Sequence, residues 1–162
     1  MTNRREVLRA LGVAGVGAVS VGLIESPLLA RSSHTITMRN ADPSKGLKTM
    51  AFSPDLLKVP KDTRITFAVE SGAHNTQTTP GMVPQGAAGW RFGIRKSGTV
   101  TLSAPGFYGY HCLPHRAMGM VGLIIVEGPG MMDNLAAAKA VKHPGQAGAR
   151  WQSLWTRAEA LI

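Results

Sequence analysis

From residue 34 onward, apolar positions recur in two distinct rhythms. Residues 34–38 (His-Thr-Ile-Thr-Met) and 64–69 (Arg-Ile-Thr-Phe-Ala-Val) alternate polar and apolar, the period of a strand buried on one face. Residues 57–59 and 98–102 are further β-branched or apolar runs, closed by Pro60 and by the turn pair Pro105-Gly106. Residues 108–111 form a short aromatic run, and residues 121–126 are almost entirely apolar, as in a strand covered on both faces. No helical period interrupts these segments, so a β-sandwich or barrel is expected. After Gly130 the rhythm changes. Residues 134–141 are Ala-rich and helix-forming, with Asp133 as candidate N-cap, and Pro144-Gly145 ends them. In residues 146–162, Trp151, Leu154, Trp155, Ala158 and Leu161 recur three or four apart and make one apolar helix face. A helical hairpin over residues 129–162, packed on the sandwich, is the expected ending.

The first thirty residues read as an address. Arg4-Arg5 precede a weakly apolar, Gly/Ala-rich stretch from about Ala10 to Ile24, and Ala30 offers a small residue for cleavage. This pattern resembles a twin-arginine export signal, which places the mature chain in the periplasm. The apolar stretch is short for a bilayer span, which needs about 20 residues, so no stable membrane association is expected. The whole chain carries a formal charge of +9. Without residues 1–30 it keeps 15 Lys plus Arg against 7 Asp plus Glu, and stays basic at +8. Such a surface favours an acidic protein face, nucleic acid or an anionic membrane. No nucleic-acid motif accompanies the charge, and an acidic partner for a monomer is expected.

Cys112 is the only cysteine. A lone thiol in an oxidising compartment is a liability unless it is buried or bound. Its neighbours favour binding: Tyr110-His111-Cys112-Leu113-Pro114-His115-Arg116-Ala117-Met118-Gly119-Met120 holds a thiol, an imidazole three residues on and a thioether eight on. The cluster lies between two expected strands, so one loop can bring three donors together. His74, 38 residues before the cysteine, follows another strand-like run and is the natural fourth donor. Structural zinc sites use several Cys or His and no Met. One thiolate, two imidazoles and a weak thioether match a trigonal copper site with a long axial bond.

This loop, with His74 upstream, resembles that of the pseudoazurins, a branch of the cupredoxins. The likeness extends to Met50-Ala51-Phe52-Ser53-Pro54, Ala73-His74-Asn75, Gly81-Met82-Val83-Pro84, residues 104–109 and the tail beginning Asn134-Leu135-Ala136-Ala137-Ala138-Lys139. The resemblance implies a mainly β fold, a Greek-key sandwich over residues 31–128 with two C-terminal α-helices. It implies one type 1 copper held by His74, Cys112, His115 and Met120, with Met120 rather than Met118 as axial ligand. It further implies that the Asn75 amide donates to the Cys112 sulfur while its side chain ties the ligand loops together. Pro114 has no N–H to add a further donor. The electron port would be the edge of His115, within an apolar patch of Met50, Met82, Pro84, Pro114, Ala117 and Met118. Arg116, with Lys45, Lys48, Arg91 and Lys96, would form a basic rim. The implied function is one-electron transfer, not enzymatic catalysis, with a copper nitrite reductase or a c-type cytochrome as acidic partner.

Two residues depart from that pattern. Leu113 stands where the family commonly has Thr. His111 directly precedes the cysteine, as in copper enzymes that bind a second copper, so a copper enzyme is the main alternative and a copper-handling protein the other. Neighbouring strand residues face opposite ways, so His111 is expected to point away from the metal, towards the surface.

Overall fold

The computed structural model describes residues 32–41 and 50–162. The expected export signal over residues 1–30, and Lys45 and Lys48, lie outside the described residues. Among the described residues nine strands form two sheets. Strands β1 (Ser33–Arg39), β2 (Ala51–Ser53), β4 (Thr63–Val69) and β7 (Gly98–Leu102) make one, in the order β2-β1-β4-β7. Strands β3 (Leu56–Pro60), β5 (Thr76–Thr78), β6 (Arg91–Phe92), β8 (Gly106–His111) and β9 (Val121–Glu127) make the other, in the order β3-β9-β8-β5-β6. Pairings β1–β4 and β3–β9 are parallel and the rest antiparallel, so the chain crosses repeatedly between layers of a Greek-key sandwich. Helices α1 (Leu135–Ala140) and α2 (Ala147–Glu159) follow. The mainly β class and both helices are as read from the sequence. Strands β2, β5 and β6 are additions of two or three residues, too short to show a period.

The alternating strands bury the expected faces. Ile36 and Met38 of β1 and Ile65 and Phe67 of β4 enter the core between the sheets. There Phe52, Phe67, Trp90 and Tyr110 pack ring to ring, with centroids 4.8 to 5.9 Å apart. Strand β9 has no polar side chain from Val121 to Val126 because that part is covered twice. Ile124 and Val126 face the opposing sheet, while Val121, Leu123 and Ile125 face the helices. Trp151, Leu154 and Ala158 of α2 are buried against that outer face; Trp155 is only half-buried and Leu161, past the helix end, is exposed.

Asp133 is not the cap of α1. The N-cap is Asn134, and its side chain makes no capping bond. Its amide instead accepts from Phe107 N–H at 2.9 Å and donates to Phe107 O at 2.8 Å. A side chain that satisfies both backbone groups of a strand residue pins the helix to β8, a tertiary use that competes with capping. A second pin is a buried carboxylate. Asp55 receives Arg150 at 3.0 Å and both terminal nitrogens of Arg157 at 3.2 and 2.8 Å, locking α2 onto the turn between β2 and β3.

Candidate metal centre

Strand register brings the distant donor in. Strand β5 runs antiparallel beside β8, with Gln77 opposite His111. Continuing that register past the strand ends sets His74 and Asn75 beside the loop that starts at Cys112. Leu113 N–H donates to Asn75 Oδ1 at 2.6 Å, and Asn75 Nδ2 donates to Phe92 O at 3.3 Å, so this side chain ties the two ligand segments. The other three donors share one tight turn. Cys112 N–H donates to Met120 O at 3.0 Å, His115 N–H to Cys112 O at 3.2 Å, and Met120 N–H to His115 O at 3.2 Å. The 3-10 turn Arg116–Met118 lies between the two last ligands, and Gly119 closes it at φ +91°.

His74 Nδ1, His115 Nδ1 and Cys112 Sγ form a triangle with edges of 3.1, 3.4 and 3.9 Å. A point about 2.0 Å from both nitrogens and about 2.3 Å from the sulfur exists just off the plane of this triangle, at the distances imidazole and thiolate donors take to a first-row metal. Among the described residues this is the cluster of His, Cys and acidic groups able to hold an ion. His74, Cys112 and Met120 are fully buried and His115 is half-buried. Burial, followed by the neighbouring His115 charge, lowers the His74 pKa and keeps its imidazole neutral, the form that binds metal. Burial raises the Cys112 pKa, opposed by the backbone N–H groups of Asn75 and His115. A bound cation reverses that balance and favours the thiolate. Two imidazoles, one thiolate and a buried thioether fit copper of the type 1 kind.

His74 is oriented from behind by a residue that sequence reading missed. Its Nε2 donates to Asn40 Oδ1 at 3.1 Å, which leaves Nδ1 as the free lone pair. Gly72 makes room for this bond: it has φ +82°, and a Cβ there would come within 2.7 Å of His74 Nε2. An Asn just past the end of β1 carries no sequence signal of its own.

The surface around the site differs from expectation. Met118, Leu113 and Ile94 are exposed at 45%, 52% and 50%, and Ala117 and Pro114 are exposed with them. Met50 is half-buried, but Met82 and Pro84 are buried and cannot join a docking patch. Both pack on glycines of β8. A Cβ on Gly109 would meet Met82 Sδ at 2.7 Å, and one on Gly106 would meet Pro84 Cγ at 2.7 Å. The bare strand leaves hollows that these side chains fill. Ile94 is exposed in a loop held beside the site by Arg95 N–H, which donates to His74 O at 2.8 Å. Arg91 and Lys96 are exposed, whereas Arg116 is half-buried and turned to His143, 3.4 Å from its Nδ1.

His111 also differs from expectation. It does face away from the metal, but it is buried, because the turn before Met82 and the helices cover the outer face of β8. Its Nδ1–H donates to Thr79 Oγ1 at 2.8 Å, and Gln77 Nε2 donates to its Nε2 at 3.1 Å. Both ring nitrogens are committed, and burial with the charges of Arg116 and His143 lowers its pKa to about 4. Thr and Gln partners do not make a second copper site.

Pro114 gives a measurable consequence. The N–H groups of Asn75 and His115 already bear on the sulfur. An added N–H aimed at it withdraws further electron density and favours the reduced metal. Pro114→Ala is expected to raise the reduction potential by about 20–60 mV, one net hydrogen bond's worth. Protein-film voltammetry checks this, and an unchanged or lower potential contradicts it.

Residues 40–127 match the family model described as copper binding proteins of the plastocyanin/azurin family. The chain is 33% identical over 137 residues to a pseudoazurin of Methylorubrum extorquens, covering 85% of this chain and 88% of that protein. It is 34% identical over 117 residues to a pseudoazurin of Paracoccus pantotrophus, covering 72% and 77%. The fold superposes on the crystal structure of pseudoazurin from Methylobacterium extorquens AM1 with a TM-score of 0.72 at 33% identity, covering 78% of this chain and 99% of that one. The chain therefore belongs to the pseudoazurins, blue copper electron-transfer proteins and not enzymes, within the plastocyanin/azurin family.

Proposed function

We propose that this protein is an exported periplasmic shuttle that takes one electron from an acidic redox protein and delivers it to another, through the edge of His115. A c-type cytochrome as donor and a copper nitrite reductase as acceptor fit this role. The observation that carries the reading is the setting of His115. It is the one ligand that is not fully buried, and exposed Leu113, Pro114, Ala117 and Met118 surround it along the same loop. When bound, copper supplies a one-electron couple between Cu(II) and Cu(I). The protein's part is to hold four donors in one arrangement through that change, exclude water from three of them, and offer an apolar contact to the partner. Exposed Arg91, Arg95 and Lys96 lie within three residues of Ile94 along the chain and suit an acidic rim. Steering by such charges speeds encounter without making the complex long-lived. The arginine pair and the Gly/Ala-rich stretch in residues 1–30 support export.

Stopped-flow electron transfer with each acidic partner is the test. Raising ionic strength from about 0.01 to 0.15 M shortens the screening length from about 30 to 8 Å and should slow the second-order step about tenfold or more. Met118→Glu should slow it further at low salt while leaving the potential nearly unchanged. A rate indifferent to both salt and Met118→Glu would remove His115 and its surround as the docking face.

A further inference from the structure

Between His115 and Met120 the backbone hydrogen bonds of the ligand turn are mostly internal. Met118 N–H and Met120 N–H both donate to His115 O, at 3.0 and 3.2 Å, and Gly119 N–H donates to Arg116 O at 3.0 Å. The carbonyl of Ala117 accepts instead from outside the turn, from Gln146 N–H at 2.8 Å. Gln146 is the N-cap residue of α2, so the donor belongs to the connection between the two C-terminal helices. Gly145 makes this approach possible. It has φ +54°, and a Cβ there would stand 2.5 Å from Ala117 O, closer than side-chain atoms tolerate. One residue along, Arg116 reaches His143 Nδ1 at 3.4 Å, and the His143 ring stacks on buried Trp151 with centroids 4.9 Å apart and planes at 23°. On the far side of the turn, Gly119 backs onto the start of α2, where a Cβ would meet Arg150 Cβ at 3.7 Å.

We infer that residues 143–146 form a clamp on the ligand turn and set where His115 and Met120 stand relative to Cys112 and His74. His143, Gly145 and Gln146 are positioning residues; none is a metal ligand. Ala117 lies between His115 and Met120 along the chain, so displacing its carbonyl moves both donors. A thioether would hold copper only weakly, too weakly to place its own backbone. Something stiffer must do so, and an electron-transfer site gains from donors that stay put while the metal charge changes. The clamp has a rigid mounting. Helix α2 is held by fully buried Leu154, nearly buried Trp151 and the Asp55 bridge to Arg150 and Arg157. The helical hairpin thereby contributes to the metal centre without supplying a ligand.

The test uses the full copper-loaded chain. Gly145→Ala should change the balance of visible absorption between blue and green, shift the reduction potential, and speed copper loss to a chelator by about tenfold or more, as lost support around ligands does elsewhere. His143→Ala removes atoms instead of adding them, and should move the same three readouts by smaller amounts. Gly148→Ala is the control: it lies in α2, and its Cβ finds nothing nearer than His143 O at 4.0 Å. A folded Gly145→Ala with wild-type spectrum and potential would overturn the clamp. So would equal changes in Gly148→Ala. If Gly145→Ala does not fold, His143→Ala decides, and three unchanged readouts there overturn it.

Discussion

Cys112→Ser is expected to abolish the intense visible absorption and to lower copper affinity by more than the roughly 10–100-fold that loss of an outer partner costs. The thiolate is the soft donor that makes this set suit copper in both oxidation states. A serine hydroxyl does not ionise near neutral pH and offers a hard oxygen in the same place. The site itself should survive. The Cys112 side chain is fully buried, and the Asn75 and His115 N–H groups that bear on the sulfur can meet an oxygen instead. The remaining corners, the two Nδ1 atoms 3.1 Å apart, are held by Asn40 behind His74 and by the turn around His115. A thermal melt of the metal-free variant should therefore stay within a few degrees of the parent, while metal analysis and electron paramagnetic resonance register the loss. Retention of the absorption would mean that the sulfur is not a metal ligand.

The largest effect on stability is expected at the Asp55 bridge. Its carboxylate is buried, while the side chains of Arg150 and Arg157 are 22% and 40% exposed. Taking away either arginine leaves the other in place. The double variant Arg150→Ala/Arg157→Ala leaves a buried carboxylate without either guanidinium and should cost about 3–5 kcal/mol, which lowers the melting temperature by about 10 °C or more. Asp55→Ala should cost less than the double variant, because two part-exposed guanidinium groups can turn to water whereas a buried carboxylate cannot. Denaturant melts of all four variants give the comparison. If the double variant matches the mean of the singles, the bridge is not what holds α2 on the sheet.

How much of this was visible beforehand depends on the distance over which each feature is decided. The three ligands of the Cys112–Met120 turn are neighbours along the chain, so their spacing alone brings donors of the right softness together. The apolar run in β9 and the helix face through Trp151 and Leu154 were legible for a similar reason, because period reports burial. Asn40, by contrast, meets His74 only because β1 and the segment after β4 end side by side, and nothing near Asn40 in the chain announces it. The burial of Met82 and Pro84 is not legible in the sequence because it depends on two glycines of β8, far along the chain. For His111 the sequence indicates the direction but not the buried surroundings. Alternation says which way a side chain points, and only the covering layer says whether water is there.

By itself, then, the sequence determined the donor set, the metal it suits, the β-rich class with a helical tail, and the basic surface. These follow from residue chemistry and local periodicity, which are properties of short stretches. Tertiary structure decided which face around His115 is open, what stands behind each ligand, and that the helical tail grips the ligand turn through Gly145 and Gln146. Those depend on contacts between segments far apart in the chain, and their strength comes from packing and exclusion of water, which exist only once the layers have closed.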